Sequence, residues 1–201
     1  MATSVLYLHQ NYIIHRDIKP ANFLIDTNAN CILTDFGLAR SLPSPNKELT
    51  KNVVTRYYRA PEILFGSRFY SDKIDVWSLG CILAEFFLKE PIFKGSSEID
   101  QLSKIFGIRG TPNKRNWPDA QFLPLFAEFE EVKKVYSIQE IIKCNSEDIC
   151  ICTDKMLQLN PQRRIGLEEV LQDPMFEKLD EQSARISLVN KIKQLEQRAK
   201  S

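Results

Sequence analysis

The chain of 201 residues lacks any long uninterrupted apolar run. Its longest run, Cys81 to Leu88, is broken by Glu85 and is far shorter than the roughly 20 apolar residues that cross a bilayer. The N-terminus lacks a basic segment followed by an apolar one, so we expect neither a membrane span nor secretion. An excess of either charge is also missing, because 27 Lys and Arg face 26 Asp and Glu. We therefore expect no direct binding to nucleic acid or to a membrane.

Paired metal-binding cysteines are missing as well. Three of the five cysteines, Cys144, Cys150 and Cys152, lie close together, but no C-x-x-C pair, nearby His or fourth ligand accompanies them. Cys152 falls on an apolar stripe at helical spacing, which favours buried thiols over a metal site. Reduced thiols are typical of the nucleus or the cytoplasm, where we place the protein.

Apolar spacing predicts a mainly α-helical domain with a few short strands. Strands are predicted at 22–25 and 31–34, and a long loop at 38–59. Helices are predicted to end at His9 and to cover 75–88, 97–108, 137–143, 146–159 and 167–172. From about residue 180, Leu188, Ile192 and Leu195 share one face of a tail helix. That face either packs on its own domain or docks a partner.

Three short runs stand out from this background: HRDIKPAN at 15–22, DFG at 35–37 and APE at 60–62. Their order and spacing resemble the catalytic loop, the magnesium loop and the end of the activation segment in protein kinases. Each Asp alone is as readily a turn or cap residue, so the resemblance rests on the three runs together.

The resemblance implies ATP-dependent phosphoryl transfer with Mg²⁺. Asp17 would accept the proton of the substrate hydroxyl, and Lys19 would bring a cation to the transferring phosphate. Asn22 and Asp35 would supply the hard oxygen ligands that Mg²⁺ prefers. We expect His15 to be structural.

The features of a kinase N-terminal lobe do not precede residue 15. No Gly-rich phosphate loop, no phosphate-pairing Lys and no Glu partner for it can be found there. We therefore expect a kinase C-terminal lobe at 1–179, with the N-terminal lobe missing, and an amphipathic tail helix at 180–201. We expect no appreciable ATP turnover by these residues alone.

The segment between the second and third runs predicts a phosphate switch. Thr50 is the expected phosphorylation site, with Ser44 as a possible second one. Arg16 and Arg40 are candidates to bind the phosphate, because clustered guanidiniums form charge-assisted hydrogen bonds with it.

Four further residues are expected to support the structure rather than to take part in the chemistry. Glu62 is predicted to form an ion pair with Arg164, and Asp75 to hold the backbone of the catalytic loop. Thr55 is expected to support the activation segment.

Residues 53–62, VVTRYYRAPE, resemble the proline-directed group, which contains the cyclin-dependent and mitogen-activated kinases. In that group Arg59 would draw the carbonyl of Val54 away from the substrate. A substrate N–H would then lack an acceptor, whereas proline has no N–H to leave unpaired. The resemblance implies phosphorylation of Ser or Thr followed by Pro.

Several runs narrow the resemblance to the CDK-activating kinases of transcription factor IIH. They are SPN at 44–46, EILFG at 62–66, EIDQLSKIF at 98–106, GTPN at 110–113 and WPD at 117–119. This resemblance implies a cyclin partner, other transcription factor IIH components and a nuclear setting. The implied substrates are the activation loops of other cyclin-dependent kinases and the RNA polymerase II tail.

Two alternatives stay open. One is a non-catalytic, truncated lobe that acts as a binding module. The other is a mitogen-activated type of kinase, although Thr50-Lys51-Asn52 lacks the second, tyrosine phosphosite of that group. Tyr57 also stands where cyclin-dependent kinases usually have Trp.

Overall fold

A computed structural model describes residues 1–41, 56–132, 136–177 and 180–200. Residues 199 and 200 are described by their backbone alone. In these ranges the prediction of a mainly helical domain is confirmed. The helices are α1 (Ala2–Gln10), α2 (Pro61–Leu64), α3 (Lys73–Leu88), α4 (Glu98–Arg109), α5 (Ile138–Ile142), α6 (Glu147–Met156), α7 (Leu167–Leu171) and α8 (Glu181–Lys200). The strands are β1 (Ile13–Ile14), β2 (Phe23–Ile25), β3 (Cys31–Leu33) and β4 (Arg40–Ser41).

The strands form two antiparallel pairs around the catalytic motifs. Strand β2 pairs with β3, so that Leu24 lies opposite Ile32, close to the predicted bounds. Strand β1 pairs with β4, so that Ile14 lies opposite Arg40. The prediction of a loop from residue 38 is therefore wrong at Arg40–Ser41. A two-residue strand is too short to show the alternation from which strands are predicted.

Helix α3 is the buried centre of the fold. Trp77, in its middle, is fully buried and stacks on Phe93, with the ring centroids 5.6 Å apart. The helix ends where Lys89 takes a left-handed conformation with φ of 64°. Pro91 follows two residues later and cannot continue a helix. Helix α3 packs against α6 and therefore joins the catalytic motifs to the C-terminal helices.

Serine caps start three of the C-terminal helices. The side chain of Ser97 accepts from Asp100 N, and Ser146 caps α6 in the same way. At α5 Ser137 and Glu140 form a full capping box, which satisfies backbone donors at the helix start. The predicted helix 146–159 ends three residues early, at Met156, shortly before the helix-disfavouring Asn160-Pro161 pair.

The cysteines near α6 lie in the hydrophobic core, as predicted. Cys152 is fully buried, and Cys144 and Cys150 are 8% and 6% exposed. All five thiols are free. Burial raises the pKa of Cys152 to about 12 and also raises the pKa of Cys81.

The tail forms helix α8, but its predicted apolar face does not pack on the domain along its whole length. Leu188 and Leu195 are 38% and 56% exposed. Contact with the domain is made by Arg185, which donates to Asn28 O at 3.2 Å and to Asn30 Oδ1 at 2.9 Å. Among the described helices, none is both long and apolar enough to cross a membrane.

Candidate active site

Asp17, Lys19 and Asn22 form one polar cluster in the loop between β1 and β2. Lys19 Nζ donates to Asp17 Oδ2 at 2.7 Å. Asn22 Nδ2 donates to the backbone O of Asp17 at 2.8 Å and to its Oδ2 at 3.2 Å. The Asp17 carboxylate is therefore oriented by two neighbours, both of which donate to its Oδ2.

Asp35 is held next to this cluster by the end of β3. Thr34 N donates to Asn22 O at 2.9 Å, and its hydroxyl donates to the same oxygen at 3.1 Å. Asp35 follows Thr34 with φ of 61°, a left-handed conformation that is uncommon for a residue other than glycine. Its Oδ1 accepts from Gly37 N at 3.4 Å. Asn22 and Asp35 are thus brought to one edge by the β2–β3 pair.

The oxygen atoms at this edge fit Mg²⁺. Because the Asn22 nitrogen donates to Asp17, the amide oxygen is the atom of this side chain that can coordinate a cation. The Asp35 side chain is exposed, so its carboxylate can reach a ligand from solvent. One carboxylate and one amide oxygen form a small set of hard ligands, which suits an ion that keeps several waters.

Asp75 in α3 holds the backbone of the catalytic loop at His15 and Arg16. Asp75 Oδ2 accepts from His15 N at 2.8 Å, and Oδ1 accepts from Arg16 N at 2.9 Å. His9 Nε2 lies 3.0 Å from the same Oδ2, so α1 joins this contact. His9 was not predicted from the sequence, where only its position at the end of an apolar helix next to the loop could have pointed to it.

His15 has a structural place in the loop. It is fully buried, and its Nε2 lies 3.0 Å from Thr34 O. Its ring meets the edge of Phe36 with the centroids 5.2 Å apart. His15 therefore links the catalytic loop to the segment that carries Asp35.

The two proposed phosphate ligands, Arg16 and Arg40, lie near each other. Strand β4 places Arg40 opposite Ile14, two residues before Arg16. Partial burial lowers the pKa of Arg16, and the charge of Arg40 acts in the same direction. The Arg16 guanidinium also lies over the ring of Tyr70, 5.4 Å from its centroid, a contact that was not predicted from the sequence.

Glu62 and Arg164 form a buried, bidentate ion pair. Arg164 Nη1 and Nη2 donate to Glu62 Oε1 and Oε2 at 2.7 and 3.0 Å. The remaining Arg164 donors reach the backbone O atoms of Lys73, Gln158 and Leu159. The guanidinium thus joins α2, α3 and the chain after α6.

The structure places Arg59 beside α4, where its Nη1 lies 3.6 Å from Glu98 Oε1. The other residues assigned to the activation segment fall outside the described ranges. They are Ser44, Thr50, Val54 and Thr55.

Comparison with known proteins agrees with this geometry. The family model of the protein kinase domain matches residues 1–176 of this chain. Cyclin-dependent kinase 7 of Dictyostelium discoideum is 42% identical over 168 residues, which cover 84% of this chain and 46% of that protein. Cyclin-dependent kinase D-1 of Arabidopsis thaliana is 43% identical over 170 residues, covering 85% and 42%.

Cyclin-dependent kinase 11 of Dictyostelium discoideum is 42% identical over 177 residues, which cover 88% of this chain and 49% of that protein. The chain spans less than half the length of each of these three relatives. Because the kinase domain model covers most of the chain, and the catalytic and magnesium motifs meet at one edge, the chain belongs to the protein kinase family, with cyclin-dependent kinases among its relatives.

Proposed function

We propose that the protein is a cyclin-dependent Ser/Thr kinase of the CDK-activating type, which transfers phosphate from ATP to Ser or Thr followed by Pro. The observation that carries the proposal is the single cluster of Asp17, Lys19 and Asn22, with Asp35 at the same edge. Phosphoryl transfer needs positioning and charge neutralisation, and this cluster supplies groups for both.

Each side chain of the cluster has a distinct task. Asp17 accepts the proton of the substrate hydroxyl, and Lys19, 2.7 Å from it, neutralises charge on the transferring phosphate. Asn22 and Asp35 would hold Mg²⁺ through their oxygen atoms, and the ion would supply positive charge for the phosphates of ATP. Asp75 fixes the backbone at His15 and Arg16, which sets the position of Asp17.

Strand pairing brings Arg40 opposite Ile14, two residues before Arg16, and this proximity supports a phosphate switch. A phosphate on Thr50 would place a charge of about −2 next to these guanidiniums. Its charge-assisted hydrogen bonds would order the activation segment. Ser44 is proposed as a second phosphorylation site.

The proline requirement is proposed to come from Arg59 and Val54. The described part of this pair, Arg59, sits on a loop that follows the 3₁₀ turn Arg56–Tyr58.

The proposed partners are a cyclin and components of transcription factor IIH. The proposed substrates are activation loops of cyclin-dependent kinases and the RNA polymerase II tail, in the nucleus. The similarity to cyclin-dependent kinases supports the cyclin partner. The other partners and the substrates are proposed from the resemblance of the runs at 44–46, 62–66, 98–106, 110–113 and 117–119 to the CDK-activating kinases.

Transfer assays on the protein captured with its partners from its source cells test the proposal. Wild type is compared with Asp17→Asn on peptides that carry Ser-Pro, Ser-Ala and Tyr-Pro, with Mg²⁺ and ATP. We expect transfer to Ser-Pro, and a loss of at least about 100-fold in Asp17→Asn because the proton acceptor is removed. Asp119→Asn is the matched control, because Asp119 is exposed in the short helical turn Pro118–Phe122.

Two results would refute the proposal. One is equal transfer by wild type and Asp17→Asn, which would remove Asp17 from the chemistry. The other is a preference for Ser-Ala or Tyr-Pro over Ser-Pro, which would leave a kinase of another class.

A further inference from the structure

A fully buried amide, Gln101, ties two separate loops together. Gln101 lies in α4 and is 0% exposed. Its Nε2 donates to Tyr57 O at 3.2 Å, and its Oε1 accepts from Gly95 N at 2.8 Å. Both ends of the side chain are therefore hydrogen-bonded, as a buried amide requires. One of its partners belongs to the loop that carries Arg59.

The fit around Gln101 leaves no spare room. A Cβ atom on Gly95 would lie 2.5 Å from the backbone N and Cα of Gln101. Real Cβ atoms do not approach other atoms so closely, so glycine lets the loop before α4 lie against the helix. The amide of Gln101 is thus fixed on one side before it reaches Tyr57.

Two more contacts join the same pair of segments. Arg56 Nη1 donates to Ser96 O, and Arg59 Nη1 lies 3.6 Å from Glu98 Oε1. Residues 95–101 therefore contact residues 56–59 at three places. Glu98 and Gln101 are three residues apart and lie on one side of α4, which faces the loop.

Helix α3 holds the same loop from the other side. Ser78 Oγ donates to Tyr58 O at 2.7 Å, and Tyr58 Oη donates to Glu85 Oε2 at 2.7 Å. The carbonyls of Tyr57 and Tyr58 are therefore each bound by a side chain from a different helix. Arg59 comes directly after this doubly held dipeptide.

We propose that Gln101 and Glu98, in the first turn of α4, are positioning residues that set the place of Arg59 and thereby the preference for Pro after the phosphorylated residue. This inference rests on the proposed function. Gln101 acts through the Tyr57 carbonyl, and Glu98 acts through the Arg59 guanidinium. Neither of them contacts the reacting atoms.

The test compares Gln101→Met with wild type in two measurements. In the captured enzyme, kcat/KM is measured on Ser-Pro and Ser-Ala peptides. We expect the Ser-Pro to Ser-Ala ratio to fall about tenfold, the size of one lost hydrogen bond. In the 201-residue chain, amide exchange at 57–60 should become about tenfold faster.

Thr153→Val is the control for general destabilisation. Thr153 is also fully buried and donates to Ile149 O at 2.7 Å, but it lies in α6. This variant should leave both the peptide ratio and the exchange at 57–60 unchanged. Should Gln101→Met not fold, Glu98→Gln replaces it. The side chain of Glu98 is 56% exposed, so this substitution does not disturb the core. We expect a ratio lowered about threefold for this exposed pair.

An unchanged ratio in the variants, with equal losses on both peptides, would overturn the inference and leave these residues a purely structural role. Failure of the proposed function looks different, because wild type itself would then not prefer Ser-Pro. If wild type shows no such preference, amide exchange at 57–60 still tests the contact between Gln101 and the Tyr57 carbonyl. Unchanged exchange in Gln101→Met would reject that contact as well, and faster exchange would retain it.

Discussion

The carboxylate of Asp75 receives the backbone N–H of Arg16 at 2.9 Å, although the two residues are 59 positions apart in the chain. Arg16 has φ of 72°, a left-handed conformation that costs energy for a residue with a side chain. The hydrogen bond from α3 holds this conformation, which turns the chain just before Asp17. The position of the proposed proton acceptor thus depends on a helix that takes no part in the chemistry.

Replacing Asp75 by Asn should destabilise the fold and the loop together. An amide can accept one of the two backbone N–H groups, but its nitrogen then faces the other. We expect a loss of about 2 kcal/mol in the free energy of unfolding. Urea unfolding of the 201-residue chain, followed by circular dichroism, measures it, with Asp119→Asn as the control. A change equal to that of the control would show that the contact does not stabilise the loop.

The Glu62–Arg164 pair should be costly to break from one side only. Glu62→Gln leaves the guanidinium buried without its counter-charge, so we expect a loss of about 3 kcal/mol. The double variant Glu62→Gln, Arg164→Met should lose less than the sum of the single variants. A double-mutant cycle by urea unfolding gives the coupling energy, and strict additivity would contradict a direct interaction.

Arg40→Gln should uncouple activity from phosphorylation of Thr50. Without the second guanidinium, the phosphate loses charge-assisted hydrogen bonds that order the segment. We expect the activity ratio of phosphorylated to phosphatase-treated enzyme to fall about tenfold. Arg115→Gln, an exposed arginine in the loop after α4, is the control. An unchanged ratio in Arg40→Gln would remove Arg40 from the phosphate site.

Stability should fall at alkaline pH partly because of Cys152. Its pKa is raised by burial from an ordinary 9.0 to about 12, so above pH 9 the unfolded thiol ionises while the folded one stays protonated. The stabilisation is fully present below pH 9 and is lost as the pH rises towards 12. By linkage, we expect a loss of about 2 kcal/mol by pH 10.5.

Urea unfolding at pH 8 and pH 10.5, for wild type and Cys152→Ala, isolates this contribution from that of the other titrating groups. The variant should lose less stability between the two pH values. Equal losses in both proteins would show that Cys152 does not carry the effect.

The sequence was most informative where the chemistry is local. Asp17, Lys19 and Asn22 lie within six residues, so their grouping is visible in the printed chain. The long-range contacts of Gln101 and His9 were not visible, because their partners lie at distant positions and have no fixed spacing. Tyr70 was missed for the same reason, since it meets Arg16 only through the fold.

Among the helices and strands, too, those with a long local pattern were predicted and the others were not. Helices with long apolar faces, such as α3 and α4, were predicted within two residues of their ends. The bridge β1–β4 was missed because two residues show no periodicity. The exposure of Leu188 and Leu195 could not be predicted, because an apolar face shows that a helix can pack, but not against what.

The most direct measurement is transfer of labelled γ-phosphate from ATP to a Ser-Pro peptide by the captured enzyme, for wild type and Asp35→Asn. Each is assayed with Mg²⁺ and with EDTA, and Asp119→Asn is the control. We predict Mg²⁺-dependent transfer by wild type and a loss of at least about 100-fold in Asp35→Asn, since the variant lacks the carboxylate that would hold the metal ion. Undiminished transfer by Asp35→Asn, or transfer that EDTA does not abolish, would contradict the assignment of Asn22 and Asp35 as the metal site.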